Sequence, residues 1–160
     1  SYIRRSHPYE TMAYDVYPLY EYESHDNKEG LGRMGELEEK QKLHVFAEKI
    51  KEKLALKSIR IVGNPEILVD NAAVCSGSGS GLLKDFLRSK AQVYITGDIR
   101  YHEARSIEFE GRGLIDVGHF ASEYLIVEKL AEKLKIMIHE AGYDVVIEAC
   151  RIEHDPFVVL

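Results

Sequence analysis

Several residue types that mark whole protein classes are scarce in this chain. Its 160 residues include no tryptophan, two cysteines and four prolines. Two cysteines are too few for a disulfide framework, and Cys75 and Cys150 form no Cys-x-x-Cys pair of the kind a zinc or redox motif uses. Both lie in apolar, strand-like contexts and read as reduced core thiols of a cytosolic protein, so the expected location is cytoplasmic. No apolar run approaches the ~20 residues that a membrane-spanning helix needs, and no membrane partner is expected. There is no signal-peptide pattern at the start. Positive charge is short as well. With 21 Lys and Arg against 27 Asp and Glu, the net charge is −6, the wrong sign for a protein that neutralises nucleic-acid phosphates.

What is present supports a folded domain with a real core, since chains of about 150 residues hide roughly 70% of their unfolded surface. Six of the ten tyrosines fall in the first 22 residues, which points to a boundary soon after. Ala13 to Leu19 reads as a strand ended by Pro18, and the polar stretch from Glu21 to Glu29 as a linker. Glycines at 30, 32 and 35 then mark a place where the backbone bends or meets something closely.

From Glu38 onward the pattern is an α/β alternation. Leu43, Phe46, Ala47, Ile50 and Leu54 recur at three- and four-residue steps, the spacing of an amphipathic helix. Strands are predicted at Ile59–Gly63, Ala72–Cys75, Val93–Thr96, Leu114–Val117 and Val145–Cys150. Helices are predicted at Gly81–Ser89, Tyr101–Phe109 and His119–Ala141, the last presenting Phe120, Tyr124, Val127, Ala131, Leu134 and Ile138 on one face and stopped by Gly142. Strands separated by helices predict a mixed, mostly parallel sheet covered by helices.

Ligands in such folds gather where strands end and helices begin, and three loops there carry unusual chemistry. Ser76 to Gly81 alternates serine and glycine between a strand and a helix. Ser78, Gly79 and Ser80 offer small residues and backbone N–H groups to an anion, yet the loop matches neither a P-loop nor a dinucleotide fingerprint and reads equally as a tight turn. In Thr96 to Glu103, Asp98 and His102 are four apart. They would share a face if the helix began by Asp98, with a proton relay or outer support of a metal ligand as possible duties. A helix N-cap and a surface histidine fit those residues as well.

The third loop places His119 and Glu123 in the first turn of a helix. Imidazole and carboxylate four residues apart form a two-point hold for zinc or a transition metal. Spacing alone is weak, because His25/Glu29 and His44/Glu48 share it. Position separates the third pair, since only His119 follows a buried-looking strand through a glycine, although an ordinary pair at a helix start fits these residues as well.

Five ordered segments together carry a resemblance. They are His7-Pro8-Tyr9-Glu10 through Leu19, Gly30-Leu31-Gly32-Arg33-Met34-Gly35-Glu36-Leu37, Ala73 to Ser80, Thr96-Gly97-Asp98-Ile99-Arg100-Tyr101-His102, and Leu114 to Glu123 with Gly118-His119 and Ser122-Glu123 at its core. This set resembles the Nif-three-like dinuclear-metal-centre family, also called the GTP cyclohydrolase I type 2 family. The resemblance implies that residues 1–28 are the end of an inserted ferredoxin-like domain and residues 29–160 a C-terminal α/β metal-binding half. It implies His119 and Glu123 as metal ligands, with Asp98 and His102 lining the same pocket as catalytic candidates. It further implies two divalent ions (Zn, Mn or Fe), a hydrolase acting on a purine nucleotide or other small molecule, and a hexameric toroid of identical chains. A non-enzymatic, metal-stabilised scaffold is the alternative. The family completes its metal site with a His-His pair and an Asp from an N-terminal half. This chain has no His-His, so it is expected to be the C-terminal part of a longer protein and to bind metal weakly by itself.

Overall fold

The computed structural model describes residues 30–158. The tyrosine-rich opening, its strand and the linker therefore lie outside the described residues, as does the boundary at residue 28. Five strands and four α-helices follow in the order β1 (Arg33–Lys42), α1 (Leu43–Lys53), β2 (Arg60–Val62), β3 (Leu68–Ser78), a 3-10 turn (Gly79–Leu82), α2 (Leu83–Arg88), β4 (Val93–Gly97), α3 (Tyr101–Phe109), β5 (Gly113–Asp116) and α4 (His119–Glu140).

The strands form one sheet in the order β1-β3-β4-β5-β2. β3, β4 and β5 run parallel, as strands joined by helical crossovers can, while β1 and β2 pair antiparallel at the two edges. The sheet is thus mixed, with three of five strands in one direction.

Side chains alternate across a strand, and β4 shows the consequence. Tyr94 faces a cluster with Phe86 of α2, Ile107 of α3, Ala73, Cys75 and Leu114. Its neighbour Val93 faces Leu43 and Ala47 of α1, Val69, Ile115 and Val117. Helices therefore cover both faces, and the amphipathic face expected for α1 is the one that is buried.

Tyr94 closes the first cluster. Its ring stacks on Phe86 with centroids 5.0 Å apart, and its hydroxyl donates to the Gly79 carbonyl at 3.0 Å. Burial and then the nearby Cys75 thiol push the phenol well above its ordinary pKa, so it stays a neutral donor. Tyr94→Phe leaves that carbonyl without its partner and is expected to cost about 1–2 kcal/mol in urea denaturation. A variant as stable as wild type would show the bond to be dispensable.

Three sequence expectations change. Arg33 to Lys42 is a strand where none is predicted; its polar residues mostly stay in solvent and it is held through backbone pairing to β3, while Gly32 just ahead of it does meet something closely, a Cβ there lying 3.0 Å from the Val74 carbonyl oxygen. Gly81–Ser89 divides into a 3-10 turn and a six-residue helix. Val145–Cys150 forms no strand, because alternating apolar residues need a ladder neighbour and no ladder among the described residues includes this segment. Cys150 is accordingly exposed, and only Cys75 is a core thiol.

No helix among the described residues is long and apolar enough to cross a membrane.

Candidate metal centre

The carboxyl ends of β3, β4 and β5 lie side by side, and each delivers part of one cluster. β5 ends at Asp116, whose buried carboxylate accepts the Gly118 N–H at 3.0 Å and pairs with Arg60 of β2. That bond fixes the turn through which His119 enters α4. β4 ends at Gly97, and Asp98 follows with a φ of 53°, a conformation that non-glycine residues adopt at a cost and mostly where function or packing demands it. So placed, Asp98 reaches across to His119, its Oδ2 2.7 Å from Nδ1. On the other side of the ring, Nε2 is 3.2 Å from Glu123 Oε2.

One imidazole therefore sits between two carboxylates. The hydrogen bond that His119 donates to Asp98 is the leading cause that holds its pKa above the ordinary value; the charges of Glu123 and Asp98 add to it, and partial burial opposes it. The pocket favours positive charge. With both ring nitrogens facing carboxylates, the protonated ring donates on both sides; an ion at Nε2 would take the place of the proton there and leave the Nδ1 N–H with Asp98, the tautomer of a metal-binding histidine backed by a carboxylate.

β3 supplies the wall. Gly77, at φ 62°, lies against the pair so closely that a Cβ built on it would collide with Glu123 Oε1 and come within 3.2 Å of His119 Nε2. Its peptide groups are held from both sides. The N–H donates to Ser122 Oγ at 2.8 Å, and the carbonyl accepts from the fully buried Thr96 hydroxyl at 3.2 Å.

The fit to a divalent cation is good in kind and short in number. His119 and Glu123 supply the nitrogen and oxygen donors that zinc, manganese and iron share. Their 3.2 Å separation suits neighbouring donors that each stand ~2.1 Å from one ion. Three protein ligands are usual at a catalytic zinc, and among the described residues no group of three or more His, Cys, Asp or Glu side chains is arranged to hold an ion. Two donors by themselves do not complete such a site.

Of the expected residues, Asp98, His119 and Glu123 come together. His102 does not: α3 begins at Tyr101, so Asp98 stands ahead of the helix and the two do not share its face. The His102 ring packs edge-on against Tyr101 with centroids 5.5 Å apart. Nor does Asp98 cap α3; the Arg100 N–H at that helix start is taken by Glu103 at 2.9 Å. In the serine-glycine loop, Ser80 donates to the same Glu103 carboxylate at 2.8 Å and Ser78 lies 3.5 Å from Ser80. Gly79 gives its carbonyl to Tyr94. The other described His–Glu pair, His44/Glu48, makes no such contact, since His44 turns to the Pro65 carbonyl and Glu66. Sequence reading assigns no separate duty to Thr96, Asp116 or Ser122. Ser122 and Asp116 stand inside the Leu114–Glu123 segment, but only the fold shows what they hold.

Comparison with known proteins finds similarity over most of the chain. A family model described as Duf34/NIF3 (NGG1p interacting factor 3) matches residues 5–156. A "GTP cyclohydrolase 1 type 2 homolog" of Bacillus subtilis is 35% identical over 156 residues, 98% of this chain and 41% of that protein. A protein of the same description from Halalkalibacterium halodurans is 34% identical over the same shares. Among solved structures, a Bacillus cereus protein related to NIF3 superposes with a TM-score of 0.78 at 34% identity, covering 99% of this chain and 42% of that one. A Staphylococcus aureus hypothetical protein gives 0.77 at 34% identity, over 82% and 43%. The chain spans less than half the length of the curated relatives it matches.

Proposed function

The chain belongs to the Duf34/NIF3 family, and from that premise we propose that it is the His119–Glu123 half of a divalent-metal site in a metal-dependent hydrolase. The observation that carries this reading is the line Asp98–His119–Glu123, with the imidazole oriented by one carboxylate and facing another. His119 Nε2 and Glu123 would hold the ion, and Asp98 would keep the ring in the right tautomer. Bound divalent cations supply Lewis acidity and water activation in hydrolysis. Asp98 is committed to His119, and the exposed imidazole of His102, which stands apart from the pair on α3, would transfer a proton only to a substrate that reaches from the pair to the start of that helix. The name that the relatives carry, GTP cyclohydrolase 1 type 2 homolog, supports GTP or a related purine nucleotide as the substrate class.

A second reading, an assembly protein organised by its metal, is favoured by the apolar side chains that α4 leaves exposed, including Leu125, Ile126, Leu130 and Met137. Exposed apolar area of that kind marks a surface that another chain segment or subunit covers.

One experiment separates the two. A full-length protein carrying this chain is loaded with Zn, Mn or Fe and offered GTP and a panel of phosphoesters. Turnover that His119→Ala lowers by at least a hundredfold supports the hydrolase. No turnover on any substrate, with oligomeric state intact, supports the assembly reading. The 160-residue chain alone, dialysed against trace metal, is expected to retain little, because two donors are too few. Two tightly held ions per chain, measured by elemental analysis, would overturn that expectation.

A further inference from the structure

We propose that Ser122 is a positioning residue for the metal-binding pair, locking the Gly77 turn of β3 to the first turn of α4. The inference rests on the metal-site reading above. The Ser122 hydroxyl accepts the Gly77 N–H and donates to the His119 carbonyl, each at 2.8 Å. A serine in a first helical turn often bonds back to its own helix, so the His119 contact alone would be ordinary. The bond to Gly77 joins residues 45 apart in sequence, and what it joins is the wall of the pair. The Gly77 backbone has no room for a side chain beside Glu123 Oε1 and His119 Nε2. A shift of this turn toward the pair displaces the carboxylate; a shift away gives it room to leave the imidazole.

Thr96 holds the same turn from the opposite side through the Gly77 carbonyl. The two hydroxyls act on different groups. Thr96 is fully buried in the sheet, and its loss would disturb the core together with the site. Ser122 is only half-buried and sits on the helix that carries both donors. It is the member of the clamp whose removal should change the site more than the fold.

The test uses the full-length protein, cobalt(II) as the probe ion, and Ser122→Ala, Ser122→Thr and His119→Ala variants. Affinity is read from the visible absorption of bound cobalt, well below the melting transition of the metal-free protein, where a loss of stability alone leaves affinity unchanged. Ser122→Ala is expected to weaken binding about 10–100-fold, the range for losing an outer partner of a ligand. Ser122→Thr, which keeps the hydroxyl, is expected to restore most of it. Amide exchange at Gly77 should quicken in the alanine variant and recover in the threonine variant. Wild-type cobalt affinity in Ser122→Ala, with His119→Ala deficient, overturns this inference alone. Wild-type affinity in both variants overturns the metal-site reading and this inference with it.

Discussion

Gly97→Ala is expected to lower stability by about 3 kcal/mol and to pull His119 away from Asp98. Gly97 is the last residue of β4, and a Cβ there would lie 2.6 Å from both the Gly118 carbonyl carbon and the His119 nitrogen. These are backbone atoms at the start of α4, so no side chain can swing aside. β4 and β5 are held in parallel register through Thr96 and Asp116, and the Val117 N–H donates to the Thr96 carbonyl at 2.9 Å. The added methyl must therefore push the α4 entry outward against these bonds. Overpacking of this kind costs about 1–3 kcal/mol and sometimes more. The upper end is expected because the displaced unit also carries the Asp116–Gly118 bond. For a chain of this size the melting temperature should fall by roughly 6–12 °C. In urea the midpoint should drop with the slope unchanged. Gly35→Ala is the control: nothing lies within 4 Å of a Cβ there, and stability should hold or rise slightly through a stiffer unfolded chain. Equal effects at the two positions would show that close approach at Gly97 does not govern the fold.

The elements that packing dictates are legible in the sequence, and those that depend on a distant partner are not. α3 and the start of α4 fall where apolar periodicity and glycine place them, and β4 and β5 are apolar because both faces are covered. β1 escaped for the opposite reason. Its residues are mostly polar and solvent-facing, so it carries no period-two signal, and only β3 makes it a strand. Val145–Cys150 shows the reverse case, a strand-like pattern with no ladder neighbour among the described residues. The His119–Glu123 contact follows from i, i+4 geometry once a helix starts at His119. Asp98 came within reach only through its positive φ and the side-by-side ends of two parallel strands. Neither is encoded in local spacing, which had instead paired Asp98 with His102.

Gly77→Ala should spare the fold and cost the site, in contrast to the change at Gly97. The Gly77 φ of 62° is open to alanine at a cost of about 1–2 kcal/mol, which a domain of ordinary stability survives. The obstacle to its methyl is the far end of Glu123, a flexible and exposed side chain that can rotate away. The cheapest relaxation is therefore the one that removes the carboxylate oxygen from His119. With one of two donors displaced, cobalt affinity of the full-length protein should fall at least as far as the roughly 10–100-fold loss expected when an outer partner is disturbed. Gly77→Asn separates the two costs. Asparagine tolerates the left-handed region better than alanine, so it should recover stability while its Cβ still excludes Glu123. Recovery of stability without recovery of affinity would identify crowding of the carboxylate, rather than backbone strain, as the cause. Wild-type cobalt affinity in Gly77→Ala would show that Glu123 need not face His119 to hold the ion.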